Sequence, residues 1–265
     1  MVLIDPPRRS GVLDRATASV RSVERTLDLL IALERAEEPM GLSQLARAVR
    51  IPKPTAQRLL SVLERRGFVQ KERAIYQLGA GIVPLVGAFL AGNSLAKAAL
   101  PVLEELALIS GETVSLQVRN GFDRVVVQRV RSPHALGYSL SIGQRLPLHL
   151  GACGQVLMAA MPEAELMAFL EPLCEMRLAG GQIRTRAELL AKLEEVRASG
   201  FAISRGEREA FVVSLAAPVV RAAKGTVAAL AVTGPPGRMP QEKIEQLSIE
   251  VRRAAQEVAR LSSRV

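Results

Sequence analysis

Cysteine is nearly absent from this chain of 265 residues: there are two, Cys153 and Cys174. Two cysteines make no disulfide framework, and they fit a reducing compartment. Histidine is as scarce, with His134 and His149 alone, and no Cys/His set has metal-ligand spacing, so no metal is expected. Long apolar runs are missing too. Gly, Pro or a charge interrupts each one well short of the ~20 residues a membrane-spanning helix needs. No phosphate-cradling P-loop, H-E-x-x-H pair or acid/base pair of carboxylates occurs, which removes the commoner hydrolase and nucleotide-binding classes and implies no cofactor. The first stretch, MVLIDPPRRSGVLDRATAS, lacks the apolar core of a signal peptide and reads as a flexible tail over residues 1–19. The expectation is a cytoplasmic protein with no membrane partner.

What is present is positive charge. The formal net charge is +9, which suits a polyanionic partner without establishing one. The excess is denser at the front: residues 1–80 hold 14 Lys+Arg against 9 Asp+Glu, and the remaining 185 hold 21 against 17.

That front third has an order of elements. SVERTLDLLIALERA sets Val23, Leu27, Leu30 and Ile31 at helical spacing. Pro39 and Gly41 break it. A short helix follows, with Leu45, Ala46 and Val49 on one face and Ser43 as its cap. Arg50-Ile51-Pro52 turns the chain into a third helix that runs to about Arg66, with Ala56, Leu59, Leu60 and Leu63 inward. Prolines 52 and 54 are tolerated there because a first helical turn has no use for the missing N–H. Gly67 stops it. FVQKERAIYQLG then reads as two strands around a charged tip, Lys71-Glu72-Arg73. Three helices and a hairpin over residues 20–79 describe a winged helix-turn-helix. Such a fold enters the major groove by the front of its third helix. That front carries Lys53, Thr55, Gln57 and Arg58, so short and amide-bearing side chains face DNA while the leucines face the core. Ser43, Lys71 and Arg73 join them as expected contacts to a double-stranded DNA operator.

Residues 80–93 read as an apolar linker helix. Gly79-x-Gly81 resembles the start of a dinucleotide loop, but Pro84 stands where the third glycine belongs, and the reading is discarded. Helix 1 and the apolar stretch Ile82–Leu90 would leave much apolar surface wet in a lone domain, which predicts a dimer.

From residue 94 to 265 a second domain is expected. A helix ends at Gly111. ETVSLQVRNGFDRVVVQRV reads as two strands turning at Asn120-Gly121, and ALGYSLSIG as a third. GACGQVLMAAM reads as a buried helix, Pro162 opens another, and Thr185 with Glu188 forms a capping box for a helix that closes at Gly200. FAIS, VVSLAAPVV and TVAALAVTG are further strands. A last amphipathic helix spans Pro240 to Leu261, with Ile244, Leu247, Val251 and Val258 inward. Hairpin strands with helices between them suggest an antiparallel sheet in an α+β domain.

Taken together, SVERTLDLLIAL, GLSQLARAVRIPKPTAQRLLSVLERRGFV, GETVSL, GQRLPLHLGACGQVLMA and SLAAPVVRAAKGTVAALAVTGP resemble, in collinear order from residue 20 to about 260, the IclR family of bacterial transcription regulators. The resemblance implies a winged-helix domain, a linker helix and a GAF-like domain binding a small organic effector, with homodimers that pair into tetramers. It implies an effector pocket built from Tyr138 and Leu146, from Ser204 and Ser214, and from Ala231 and Thr233. The helix beginning near Gly151 offers free backbone N–H groups, a seat for a carboxylate, with Ala152 and Cys153 small enough to admit it. An aromatic or short aliphatic carboxylic acid is the expected effector. The chain departs from the family pattern at Pro54 (usually Ser), Gln155 (usually Lys), Ser214 (often Cys), and at Ser204-Arg205, where an acidic residue is common. One rival of another class remains: a hydrolase using Cys153 as a thiolate activated by His149.

Overall fold

The computed structural model describes residues 20–36, 38–135, 137–222 and 225–263. The chain divides into two compact units that meet at Gly92 and Asn93. No single described helix is long and apolar enough to cross a membrane. The tail at residues 1–19 lies outside the described residues.

The first unit runs α1 (Arg21–Arg35), β1 (Met40–Gly41), α2 (Leu42–Ala48), α3 (Lys53–Arg65), β2 (Val69–Glu72), β3 (Ile75–Leu78) and α4 (Ile82–Gly92). It is a winged helix-turn-helix with a three-stranded antiparallel sheet in the order β1-β3-β2. Its core joins Leu29 and Leu33 of α1 to Leu45 and Ala46 of α2, to Ala56, Leu60 and Leu63 of α3, and to Val69 and Tyr76 of the wing. Two sequence expectations are corrected. Of the apolar positions at helical spacing on α1, Leu30 packs against the core and Val23 and Leu27 are more than half exposed; the buried pair is Leu29 and Leu33. The cap of α2 is Gly41 and not Ser43, because β1 runs straight into the helix. The Gly41 N–H donates to Gln44 Oε1 at 2.7 Å.

Between α2 and α3 the chain turns at Arg50, held at φ 55°. The glycines that resembled a nucleotide loop have a packing reason. A Cβ on Gly79 would stand 2.3 Å from the Gly67 carbonyl oxygen, and one on Gly81 would stand 2.8 Å from it. They let the chain leaving the wing cross the end of α3. Nothing in α4 is buried within this unit, and Val83, Leu85, Val86 and Phe89 all lie open.

The second unit runs α5 (Ser94–Ser110), β4 (Thr113–Asn120), β5 (Asp123–Val130), β6 (Arg145–Pro147), α6 (Ala152–Ala159), α7 (Glu163–Leu170), β7 (Glu175–Arg177), β8 (Ile183–Thr185), α8 (Arg186–Ser199), β9 (Ala202–Arg205), β10 (Val213–Arg221), β11 (Gly225–Gly234) and α9 (Gln241–Ser262). Six strands form one antiparallel sheet, β6-β5-β4-β11-β10-β9, and β7 with β8 forms a separate hairpin. The pleat sends alternate residues to opposite faces. On β11, Ala228, Leu230 and Val232 pack with α5 and α9, and Ala229 and Ala231 pack beneath α6 and α8.

The capping box at Thr185 is formed. The Glu188 N–H donates to Thr185 Oγ1 at 3.2 Å and the Thr185 N–H to Glu188 Oε2 at 2.7 Å. The first hairpin turns one residue later than expected, at Gly121-Phe122, since Asn120 pairs with Asp123. No strand forms over 137–143. The edge of β5 is taken instead by residues 143–147: the Gly143 N–H donates to the Val126 carbonyl at 2.8 Å and β6 continues the ladder. Tyr138 is tied elsewhere, its carbonyl accepting from Thr113 Oγ1 at 2.8 Å.

Candidate effector pocket and nucleic-acid interface

The helix-turn-helix sets its polar residues by geometry. The leucine face of α3 is spent on the core, so Lys53, Gln57 and Arg58 point outward and Thr55 is half-buried. Ser43 is exposed in the first turn of α2. On the wing, Lys71 is exposed with its Nζ 5.4 Å from the Tyr76 ring centre. Arg73 occupies the tip at φ 57°. All seven residues expected to meet DNA thus lie at the surface of one unit or partly so.

The second unit holds a small pocket at the N-terminus of α6. Seven of the eight residues expected there line it: Tyr138, Leu146, Ala152, Cys153, Ser204, Ser214 and Thr233. They arrive from the loop before β6, from β6 and α6 themselves, and from β9, β10 and β11. The Ser214 and Thr233 hydroxyls lie 3.1 Å apart across neighbouring strands. Ala231 is the exception. It lies on the same face of β11 as Thr233, but two residues further under α6, and is fully buried in the core there. The cavity is about 30 Å³, room for one or two waters.

Five charged or amide groups were missed by the sequence reading: Gln117, Arg124, Glu207, Arg208 and Glu209, all on the pocket wall. Arg124 comes from β5 and is 3% exposed. Its Nε donates to Gln117 Oε1 at 2.7 Å, and its Nη1 to the carbonyls of Pro147 and Leu150. Burial pulls its pKa down to about 10. Gly154 exists to make room: a Cβ there would meet the Leu148 carbonyl oxygen at 2.0 Å and Arg124 Nη1 at 2.8 Å.

Glu207 corrects the expectation about free N–H groups. Its carboxylate accepts from the Gly151 N–H at 2.8 Å, from Gln155 Nε2 at 2.7 Å and from Arg184 Nη2 at 2.8 Å. The protein's own carboxylate therefore already holds the cap of α6. Glu207 sits on a loop pinned by the Gly206 N–H to the Val212 carbonyl at 2.9 Å, and by the Ala179 N–H to the Glu207 carbonyl at 2.8 Å. The amides of Ala152 and Cys153 stand in the first turn of α6, where no helical carbonyl lies four residues behind them. Arg208 lies over the Tyr138 ring at 5.4 Å and pairs with Glu209.

The hydrolase reading finds no support. Burial pushes the Cys153 thiol up to about 12, against the opposing pull of Arg124, so it is not a thiolate near neutral pH. His149 is pulled below its usual range by burial and then by Arg124. It packs toward the Phe169 ring, with ring centres 6.5 Å apart, and no hydrogen bond joins it to Cys153 among the described residues.

A winged helix-turn-helix followed by an α+β unit with a small pocket of mixed polar and apolar lining defines a two-unit transcription regulator. The chain belongs to the IclR family: the model of the IclR helix-turn-helix domain matches residues 22–73, and that of the bacterial transcriptional regulator IclR C-terminal region matches residues 87–260. It is 26% identical over 246 residues to the HTH-type transcriptional repressor AllR of Salmonella paratyphi A, covering 92% of this chain and 90% of AllR. An IclR family transcriptional regulator from Brucella abortus is 27% identical with a TM-score of 0.79, covering 98% of each chain. An IclR homolog from Microbacterium hydrocarbonoxydans, complexed with 4-hydroxybenzoate, is 20% identical with a TM-score of 0.73, covering 92% of this chain and 100% of that one. At that identity it speaks for the fold.

Proposed function

We propose that this regulator is a cytoplasmic repressor that binds a double-stranded DNA operator through α3 and the wing. A small organic acid in the pocket at α6 sets its affinity for that operator. Lys53 and Arg58 meet phosphates, Thr55 and Gln57 meet base edges, and Ser43, Lys71 and Arg73 meet the flanking backbone. The acid's body lies against Tyr138 and Leu146. Its polar atoms face Ser204, Ser214 and Thr233, and its carboxylate faces the amides of Ala152 and Cys153. The protein acts as a homodimer or as a dimer of dimers.

The observation that carries the effector reading is convergence. Residues from a loop, a helix N-terminus and four strands meet at one spot that combines apolar walls with a few hydroxyls, the usual make-up of a small-molecule site. The AllR likeness and the basic, outward-facing front of α3 support repression through DNA.

The test is a thermal-shift screen of small aliphatic and aromatic carboxylic acids, 4-hydroxybenzoate among them. A ligand that binds only the folded state raises the melting temperature by mass action. Ala152→Leu puts a side chain where the carboxylate belongs. It is expected to abolish the shift while DNA binding persists, and calorimetry giving that variant unchanged affinity for the acid would place the site elsewhere.

A further inference from the structure

The charges around the pocket pair off, with one left over. Glu207 is matched by Arg184, Glu209 by Arg208, and Asp123 by Arg145. Arg124 is the most buried of the four guanidinium groups, and among the described residues no carboxylate lies within ion-pair distance of it. Three of its five N–H donors are spent on Gln117 and on two carbonyls. Among the described residues nothing accepts from Nη2. Arg124 lies on the cavity wall. Nη2 lies 3.1 Å from where a Cβ on Gly151 would stand, beside the start of α6. A buried charge with no direct ion pair is costly to keep, and Glu207 and Asp123 act on this one only from beyond contact distance.

We propose that Arg124 is the group that makes this pocket select anionic ligands, seating a monocarboxylate between its Nη2 and the first-turn amides of Ala152 and Cys153. The inference rests on the effector reading above and deepens it, because it names which group reads the charge. One unmatched cation calls for one negative charge. Two free donors on one nitrogen, beside two backbone amides, suit the two oxygens of a carboxylate. The present cavity admits the carboxylate alone. An acid with a larger body displaces the loop that carries Glu207, Arg208 and Glu209. The competing explanation is that Arg124 only clamps the β6–α6 connection through the Pro147 and Leu150 carbonyls. A clamp would be indifferent to the ligand's charge.

The experiment uses the full chain and matched pairs of acid and neutral amide: propionate with propionamide, benzoate with benzamide, 4-hydroxybenzoate with 4-hydroxybenzamide. Calorimetry on wild type is expected to give at least one acid that binds about 10–100-fold more tightly than its amide, the range a charge-assisted hydrogen bond supplies. Arg124→Met keeps the bulk and removes the charge, and is expected to erase that preference. Arg124→Lys is expected to restore part of it. Should Arg124→Met fail to fold, Arg124→Lys decides: an acid preference that the lysine leaves undiminished assigns the charge reading to the α6 amides. Amides that bind as well as their acids, or an Arg124→Met variant that keeps the preference, would overturn the role of Arg124 and leave the pocket standing. A wild type unmoved by every member of the panel would overturn both readings.

Discussion

Cys153 shows how far a residue's surroundings govern its chemistry. Small neighbours and a nearby histidine make it look nucleophilic in the sequence, yet burial holds its pKa near 12. In the folded protein at neutral pH, iodoacetamide is expected to label exposed Cys174 and spare Cys153. Labelling of both at equal rates would contradict this. The sign for stability follows from the same shift. A folded pKa above the unfolded value of about 8.5 means the neutral thiol's contribution is whole below that pH and is lost as pH rises toward 12. Arg124 and Glu207 were the residues the sequence hid. A charge in a hairpin or a polar loop reads as solvent-facing, because most are. One signal pointed the other way: on β5, Arg124 shares a face with buried Val126, so alternation already placed it inward. The pocket's small and hydroxyl residues were legible because the family resemblance aligned them. Ala231 was misplaced because it shares a face of β11 with Thr233, and only the three-dimensional packing of α6 over that face covers Ala231 while leaving Thr233 on the pocket wall.

At the level of elements, helices with caps and periodicity were readable and irregular edges were not. Thr185, Glu188 and Gly200 bound α8 in sequence as they do in space. The strand expected from ALGYSLSIG fails because Gly143 and Gln144 reach β5 first. The strands β1, β7 and β8 have two or three residues each, too few for a period of two to be seen. On α1 the apolar positions divide: Leu30 packs against the core while Val23 and Leu27 lie open, and Leu29 and Leu33 are the buried pair. The element with the most direct functional consequence is α3. Arg58→Ala is expected to weaken binding to all DNA sequences alike and to lower the salt slope by about 1, as the loss of one phosphate contact does. Gln57→Ala is expected to change sequence preference, by ~1–3 kcal/mol if the base contact is well made. A salt titration in which both variants match wild type would remove α3 from the groove.

The whole molecule is expected to work in pairs. Val20 at the start of α1, Val23 and Leu27 on it, and Val83, Leu85, Val86 and Phe89 on α4 form more open apolar surface than one small unit keeps in water. Light scattering at micromolar concentration is expected to give at least a dimer, which brings two α3 helices to half-sites about one helical turn, ~34 Å, apart or a multiple of it. A monomer would contradict that. The central claim is that the pocket and the DNA-binding unit are energetically coupled. Coupling is reciprocal, so an acid that changes DNA affinity has its own affinity changed by DNA by the same factor. The measurement is fluorescence anisotropy on a duplex enriched by repeated selection on the protein, titrated with and without the acid that most raises its melting temperature. DNA affinity is expected to shift by about fivefold or more in wild type and not at all in Ala152→Leu. A wild-type affinity that stays fixed while the pocket is saturated would contradict the account.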